Sequence, residues 1–331
     1  MLKTNSWILA SLPLLLLHVL LAAPSFVHAT GKGPVGIYAI NHRYVLVSDS
    51  NFDALFVVDV ERGYGIVSTI RLHHRRVDPP NGEKDGEGGD KRMKVTKNWV
   101  DPTGIVSCDA CKYIYFTSQK DPNVGYIELK KPLLEMARDG NFDELTDAVS
   151  NKPTWRPIWL HMQPDITALL RHDGISEVDI AQFKPSKFRM LEMHRAGQRG
   201  YLSHYELGVF SFSLDDDGKF NNVTHFLPMK GLGASSISGL TLSPDETRLL
   251  ITAKTSAYIA DVSDRAVNPV ILERINLQRL CGVKLRNGKY LDMNFRDAVW
   301  DTAQEHILAV GKPYGSSGTT DVGYGAVLFL L

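Results

Sequence analysis

Glu192, His194 and His204 are the residues of this chain best suited to moving protons, since histidine titrates nearest neutrality and a carboxyl can partner it. They are the candidates for general acid–base catalysis of a hydrolytic type. No nucleophile accompanies them in the sequence. Gly233-Ala234-Ser235-Ser236 lacks the Gly-x-Ser-x-Gly spacing of a nucleophile elbow, and no glycine-rich phosphate loop follows a strand. Metal chemistry has equally little to draw on. Asp49-x-Asn51-x-Asp53 starts like a calcium loop, but Ala54 replaces the required glycine and no glutamate closes it, so a hairpin turn is expected. Asp215-Asp216-Asp217-Gly218 reads as another turn. His73 and His74 are adjacent, and adjacent strand residues face opposite ways. His161, His172, His194 and His204 show no tight ligand spacing. No metal site and no cofactor are expected; calcium is the one ion to which the turn acids leave an opening.

Cys108-Asp109-Ala110-Cys111 lies between an apolar run and an alternating one, which places the two sulfurs across a two-residue hairpin turn. The motif lacks the βαβ context of a redox C-x-x-C, and Lys112 stands where a haem attachment needs histidine. A Cys108–Cys111 disulfide is expected, with Cys281 left over. The first residues argue for the oxidising compartment this requires. Lys3, the apolar stretch Trp7 to Ala23 and Val27-His28-Ala29 form a secretory signal over residues 1–29. The mature domain then runs over 30–331, destined for the secretory pathway or the extracellular space. No later segment is apolar and long enough to span a membrane after signal cleavage. The chain holds 37 basic and 37 acidic residues, so no charge asymmetry points to nucleic acid. Asn222-Val223-Thr224 is the one glycosylation sequon of the mature chain.

The elements that must position these groups are short strands in antiparallel sets. Ser238 to Thr252 reads strand, Ser243-Pro244-Asp245 turn, strand, and Ala257 to Val262 adds a third. Similar sets occur at 44–71, 104–129, 208–227 and 283–331, which predicts an all-β fold, a β-propeller of five or six blades. The strand Gly36 to Ile40 is expected to join the last set and close the ring. Residues 78–98, rich in Gly, Glu, Asp and Lys, are expected to form a mobile loop. Residues 130–195 carry Leu133, Leu134, Met136, Ala137, Phe142 and Leu145 at helical spacing and are expected to be a helical insertion, with a sixth blade only if this region hides one. Inner-strand polar residues Ser48, Asp49, Ser118 and Thr252 are candidates to line a central channel and touch a ligand. Trp155 and Trp159, with Tyr201 and Tyr205, are candidates for recognition or for the core of their own segment.

Gly33-Pro34-Val35 with Tyr44 to Asp49 and Leu55 to Asp59, the hairpin Gly208 to Lys219, and Ser238 to Asp245 resemble segments of the gluconolactonase, senescence-marker and strictosidine-synthase-like propellers. Tyr258 to Val262 followed by Asn268-Pro269-Val270 is similar to the LVIVD surface repeats. The first resemblance implies a propeller with a central divalent cation held by Glu, Asn and Asp. This chain departs from it at each position: Lys32 or Gly33 replaces the glutamate, Ser238 the asparagine, and Ala253-Lys254 the acid. The reading is therefore a secreted binding or interaction module without the lactonase-type metal ligands. Its partner would be an extracellular protein, a glycan or a small molecule. The alternative is a lactonase- or esterase-like hydrolase, or a strictosidine-synthase-like enzyme, with a rebuilt central site.

Overall fold

The computed structural model describes residues 34–50, 52–72, 74–77, 95–98, 101–118, 124–145, 158–160, 188–215, 220–234, 236–263, 270–281, 287–289, 293–300 and 307–313, with a few single positions between them. The expected signal segment, Trp155, His161 and His172 lie outside these residues.

The chain builds antiparallel sheets one after another. Blade 1 comprises β1 (Pro34–Ala39), β2 (Tyr44–Asp49), β3 (Ala54–Asp59) and β4 (Gly65–Arg71), paired in that order. A hairpin of β5 (His74–Val77) and β6 (Val95–Asn98) follows. Blade 2 holds β7 (Pro102–Val106), β8 (Tyr113–Ser118), β9 (Val124–Glu128) and β10 (Ile158–Leu160). Helix α1 (Leu133–Asp139) lies between its last two strands. Blade 3 consists of β11 (Phe188–Met193), β12 (Arg199–His204), β13 (Gly208–Leu214) and β14 (Phe220–Pro228), followed by the one-turn helix α2 (Met229–Leu232). Blade 4 contains β15 (Gly239–Leu242), β16 (Arg248–Ala253), β17 (Ser256–Asp261) and β18 (Val270–Asn276), followed by α3 (Leu277–Cys281). The fifth sheet is described as a pair, β19 (Met293–Trp300) with β20 (Ile307–Pro313).

Each sheet touches the next through its first strand: β1 lies against β7, β7 against β11, β11 against β15 and β15 against β19. That is the all-β propeller arrangement, with four complete four-stranded blades and a two-stranded fifth sheet among the described residues, against the five or six blades expected. Three further expectations change in detail. The strand around Gly36 is the innermost strand of its own blade, hydrogen-bonded to β2; the segment 326–331, its expected partner, lies outside the described residues. A strand only a short turn away from its neighbour closes that pairing at little entropic cost. Among the described residues the region 130–195 contains α1 and a 3-10 turn at Asp143–Leu145, and its described strands β10 and β11 belong to blades 2 and 3. Val95 to Asn98, expected within a loop, is a hairpin strand.

Strand alternation explains why near-continuous apolar runs are needed. Successive side chains leave a strand on opposite faces, and an inner blade has a neighbour on both. Leu46, Leu55, Val57 and Ile70 therefore pack toward blade 2, with Ile105, Ile114, Phe116 and Ile127, while Val45, Val47, Phe56 and Val58 form a separate cluster on the other face of blade 1. α1 adds Leu133, Met136 and Ala137 to the first cluster and ends at Gly140, whose φ of 65° supplies the left-handed C-cap. Corresponding cores lie between blades 2 and 3, 3 and 4, and 4 and the fifth sheet. Among the described residues no helix is long and apolar enough to cross a membrane.

Candidate functional site

Of the hydroxyl-bearing candidates, Ser48 holds two blades together. Ser48 Oγ accepts from Gly36 N–H at 2.8 Å and donates to Thr103 O of blade 2 at 2.5 Å. Thr117, at the matching place in blade 2, accepts from Gly104 N–H at 2.9 Å and reaches Arg189 O of blade 3. Ser203 repeats the first half in blade 3, accepting from Met190 N–H at 2.9 Å. In each of these blades the inner strand slips register at the capped residue, so the hydroxyl satisfies an N–H that the bulge removes from the ladder. Blade 4 has an unbroken register between β15 and β16. There Ser238 Oγ makes the link to the next sheet, donating to Phe295 O at 2.9 Å. Thr252, fully buried, finds no hydrogen-bond partner for its hydroxyl.

The residue after the staple caps the following hairpin. Asp49 Oδ1 accepts from Phe52 N–H at 3.1 Å, and Asp53, with φ 55°, accepts from Asp101 N–H at 2.8 Å, so the calcium-like spacing is a turn joined to blade 2. His204 occupies the equivalent place in blade 3 and is fully buried; its Nδ1 accepts from Glu206 and Leu207 N–H at 3.2 and 3.1 Å. Those bonds assign the ring proton to Nε2 and give His204 a turn-capping role. Ser118, likewise buried, pairs with Pro102. Trp159 lies opposite Gly125 on the fourth strand of blade 2, away from the inner strands. Tyr201 is buried in the core between blades 3 and 4.

Glu192 and His194 are placed differently. The turns that follow β7, β11 and β15 meet one another. The expected disulfide is here: Cys108 and Cys111 are bonded across the β7–β8 turn, with Cα atoms 4.9 Å apart. Asp109 N–H donates to Arg195 O at 3.0 Å, and both sulfurs pack on Gly197, where a Cβ would collide with them. Arg195 N–H in turn donates to Glu246 Oε1 at 2.7 Å, and Glu246 Oε2 lies 3.3 Å from His194 Nδ1. Glu246 follows the Ser-Pro-Asp turn in a left-handed conformation, φ 59°. Ser243 fixes that turn by donating to Asp245 at 2.6 Å. Burial alone would raise Asp245, but hydrogen bonds from Ser243 and Thr247 outweigh it and hold the carboxyl down to about 2.

The inner strands supply two more acids. Glu192 on β11 is half-buried; loss of solvent pushes its carboxyl up to about 8, helped by the negative charges of Asp297 and Glu246 and opposed by a hydrogen bond from Leu242 N–H. Asp297 on β19 is raised by burial to about 7, although it accepts from Ala298 N–H at 2.9 Å. Its carboxyl lies directly over Gly239 of blade 4, where any Cβ would overlap Oδ1. Tyr38 on β1 is half-buried, and its hydroxyl is held protonated well above its ordinary range by burial and by Asp109, with Arg195 opposing. Tyr38, Asp109, Glu192, His194, Arg195, Glu246 and Asp297 thus form one electrostatically linked group drawn from all five sheets. Among the described residues no group of three or more His, Cys, Asp or Glu is placed to hold a metal ion.

Asp297, Tyr38 and Glu246 are not singled out by sequence reasoning. Asp297 follows Met-Asn-Phe-Arg, a strand of mixed polar and apolar residues that carries no signal of its own. A buried charge in such a place is costly unless something repays it.

No protein-family model matches the chain, and no curated protein does. Among solved structures it is similar to hydrazine synthase of Kuenenia stuttgartiensis, with TM-score 0.43, 9% identity, 88% of this chain covered and 62% of the other. It is also similar to a provisional 6-phosphogluconolactonase of Bacteroides fragilis, with TM-score 0.44, 12% identity, 86% of this chain covered and 66% of the other. A comparable protein of Bacteroides uniformis gives TM-score 0.43 and 14% identity, with 86% and 70% covered. The chain spans about two thirds or less of the length of the first two of these structures. Likeness at this level leaves activity and site residues to be argued from the chain itself.

Proposed function

We propose that this chain is an exported propeller that binds a small organic cation, such as a protonated amine, at the end of the channel bounded by Tyr38, Glu192 and Asp297. The observation that carries the reading is that Glu192 and Asp297, half-buried on inner strands of different sheets, lie near enough for the negative charge of Asp297 to raise the Glu192 carboxyl. An incoming cation relieves that repulsion and finds two carboxylates and a phenol with which to bond. Asp109 and Glu246 extend the negative field around the mouth, against Arg195 and His194. Export accords with the Cys108–Cys111 disulfide, which an oxidising compartment maintains.

Calorimetric titration of the protein with putrescine, spermidine and choline tests this. An amine is expected to bind at millimolar concentration or below, and Glu192→Gln or Asp297→Asn is expected to weaken it by about tenfold or more, roughly 1.4 kcal/mol. Absence of any amine binding at those concentrations overturns the reading. The same two carboxyls favour a second, hydrolytic reading, because a pair poised near neutrality suits acid–base work. Turnover of lactones or aryl esters, abolished by Glu192→Gln but not by His204→Ala, would replace the binding reading with that one.

A further inference from the structure

We infer that Asn222 carries an N-linked glycan that covers the outer edge of blade 3. This rests on the export reading above, since transfer needs the chain inside the secretory pathway. β14 is the outermost strand of its blade and is hydrogen-bonded on one side, to β13. Along it Asn222 and Thr224 are exposed while Val223 is half-buried and packs against the core between blades 2 and 3. The acceptor amide and the hydroxyl two residues on share one face, because Asn222 Nδ2 meets Ser213 Oγ and the Thr224 hydroxyl meets Ser211 Oγ at 2.6 Å. The strand also bulges at this point: Thr224 pairs with Ser211 and Asn221 with Ser213, which leaves Asn222 and Val223 opposite Phe212. Asn222 takes the left-handed conformation, φ 45°, which asparagine tolerates better than most residues.

The amide is held lightly there. Asn222 Nδ2 donates to Ser213 Oγ at 3.3 Å, near the long limit of a useful bond, so its loss costs the fold little. The bulge itself is fixed by other groups: Asn222 N–H donates to Asn221 Oδ1 at 2.8 Å, and Phe212 packs on Phe220 with centroids 4.0 Å apart. A glycan attached to the unfolded chain thus has a rigid, outward-facing anchor in the folded one. In the transfer, Nδ2 of Asn222 bonds to the anomeric carbon of a lipid-linked oligosaccharyl pyrophosphate. The bond from that carbon to the pyrophosphate oxygen breaks, the lipid pyrophosphate leaves with the electron pair, and one amide proton passes to solvent. A bulky solvated group on an edge strand also blocks edge-to-edge pairing with other chains.

The test is expression of the full chain in a eukaryotic secretory host, with intact mass measured before and after peptide-N-glycosidase. The expected result is lumenal or secreted protein whose mass falls by one glycan on treatment. That shift should be absent in Asn222→Gln and Thr224→Val and retained in Thr224→Ser. Secreted protein of unshifted mass, or a shift that survives Asn222→Gln, overturns this inference while leaving export intact. Unmodified protein confined to the cytosol overturns both.

Discussion

At the scale of single residues, Glu192 and Asp297 set a measurable pH dependence. Both carboxyls have folded-state values above their ordinary ones, at about 8 and about 7. The folded state therefore prefers them protonated. Their contribution to stability is complete below about 4, where the unfolded chain holds the same protons, and is lost as pH rises through the folded values. Glu192→Gln keeps the hydrogen-bonding shape without the charge. Its melting temperature should exceed that of the unsubstituted protein at pH 8.5, by about 2–4 °C for each kcal/mol recovered, and the advantage should vanish near pH 4. Thermal melts across that range check it. Gly239→Ala makes a different point. Its Cβ would overlap the Asp297 carboxyl, so the substitution should destabilise the fold by about 1–3 kcal/mol, a loss that Asp297→Ala in the same chain relieves.

Residue types carried part of this in the sequence. Glu192 and His194 were legible as chemistry because acids and histidines are rare in apolar strands. Asp297 was hidden in an unremarkable strand, and its importance comes from Gly239 opposite it, some sixty positions away. His204 shows the reverse: a titratable residue by type, it is consumed by two backbone N–H groups that only the fold brings to it.

At the scale of elements, hydroxyls join blade 1 to blade 2, blade 2 to blade 3, and blade 4 to the fifth sheet. Ser48→Ala removes the hydroxyl that accepts from Gly36 N–H and donates to Thr103 O, and should cost about 1–3 kcal/mol. Thr252→Val, at the matching place in blade 4, removes a buried hydroxyl that has no partner, and should be neutral or stabilising. Denaturant unfolding of the two variants distinguishes a repeated staple from generic polar burial. The sequence displays Ser48, Thr117, Ser203 and Thr252 at comparable strand positions, but channel lining and blade stapling call for the same residue types. The bulges that decide between them are set by backbone register, which composition does not encode. The Cys108–Cys111 turn was legible because two cysteines flanking a two-residue turn leave few other geometries. Replacing both by serine should cost about 2 kcal/mol. It should also loosen the Asp109–Arg195–Glu246 series of contacts that fixes His194.

At the scale of the whole molecule, the propeller arrangement followed from repeated three-strand sets, and the innermost strand of each blade was the part least visible. β1 was readable as a strand but not as its own blade's first member, because pairing with the end of the chain satisfies the same pattern. Inner strands β1, β11 and β19 bring Glu192 within electrostatic reach of both Tyr38 and Asp297, and the proposed amine site depends on that placement. The most direct test measures protons. Titration of the best-binding amine at pH 7.5, in two buffers of different ionisation heat, counts the protons exchanged on binding. A cation that settles between Glu192 and Asp297 must lower both carboxyls, so binding should release protons, and the release should disappear in the Glu192→Gln, Asp297→Asn double variant. Amine binding without proton release, or with release unchanged in the double variant, would place the ligand elsewhere and contradict the account.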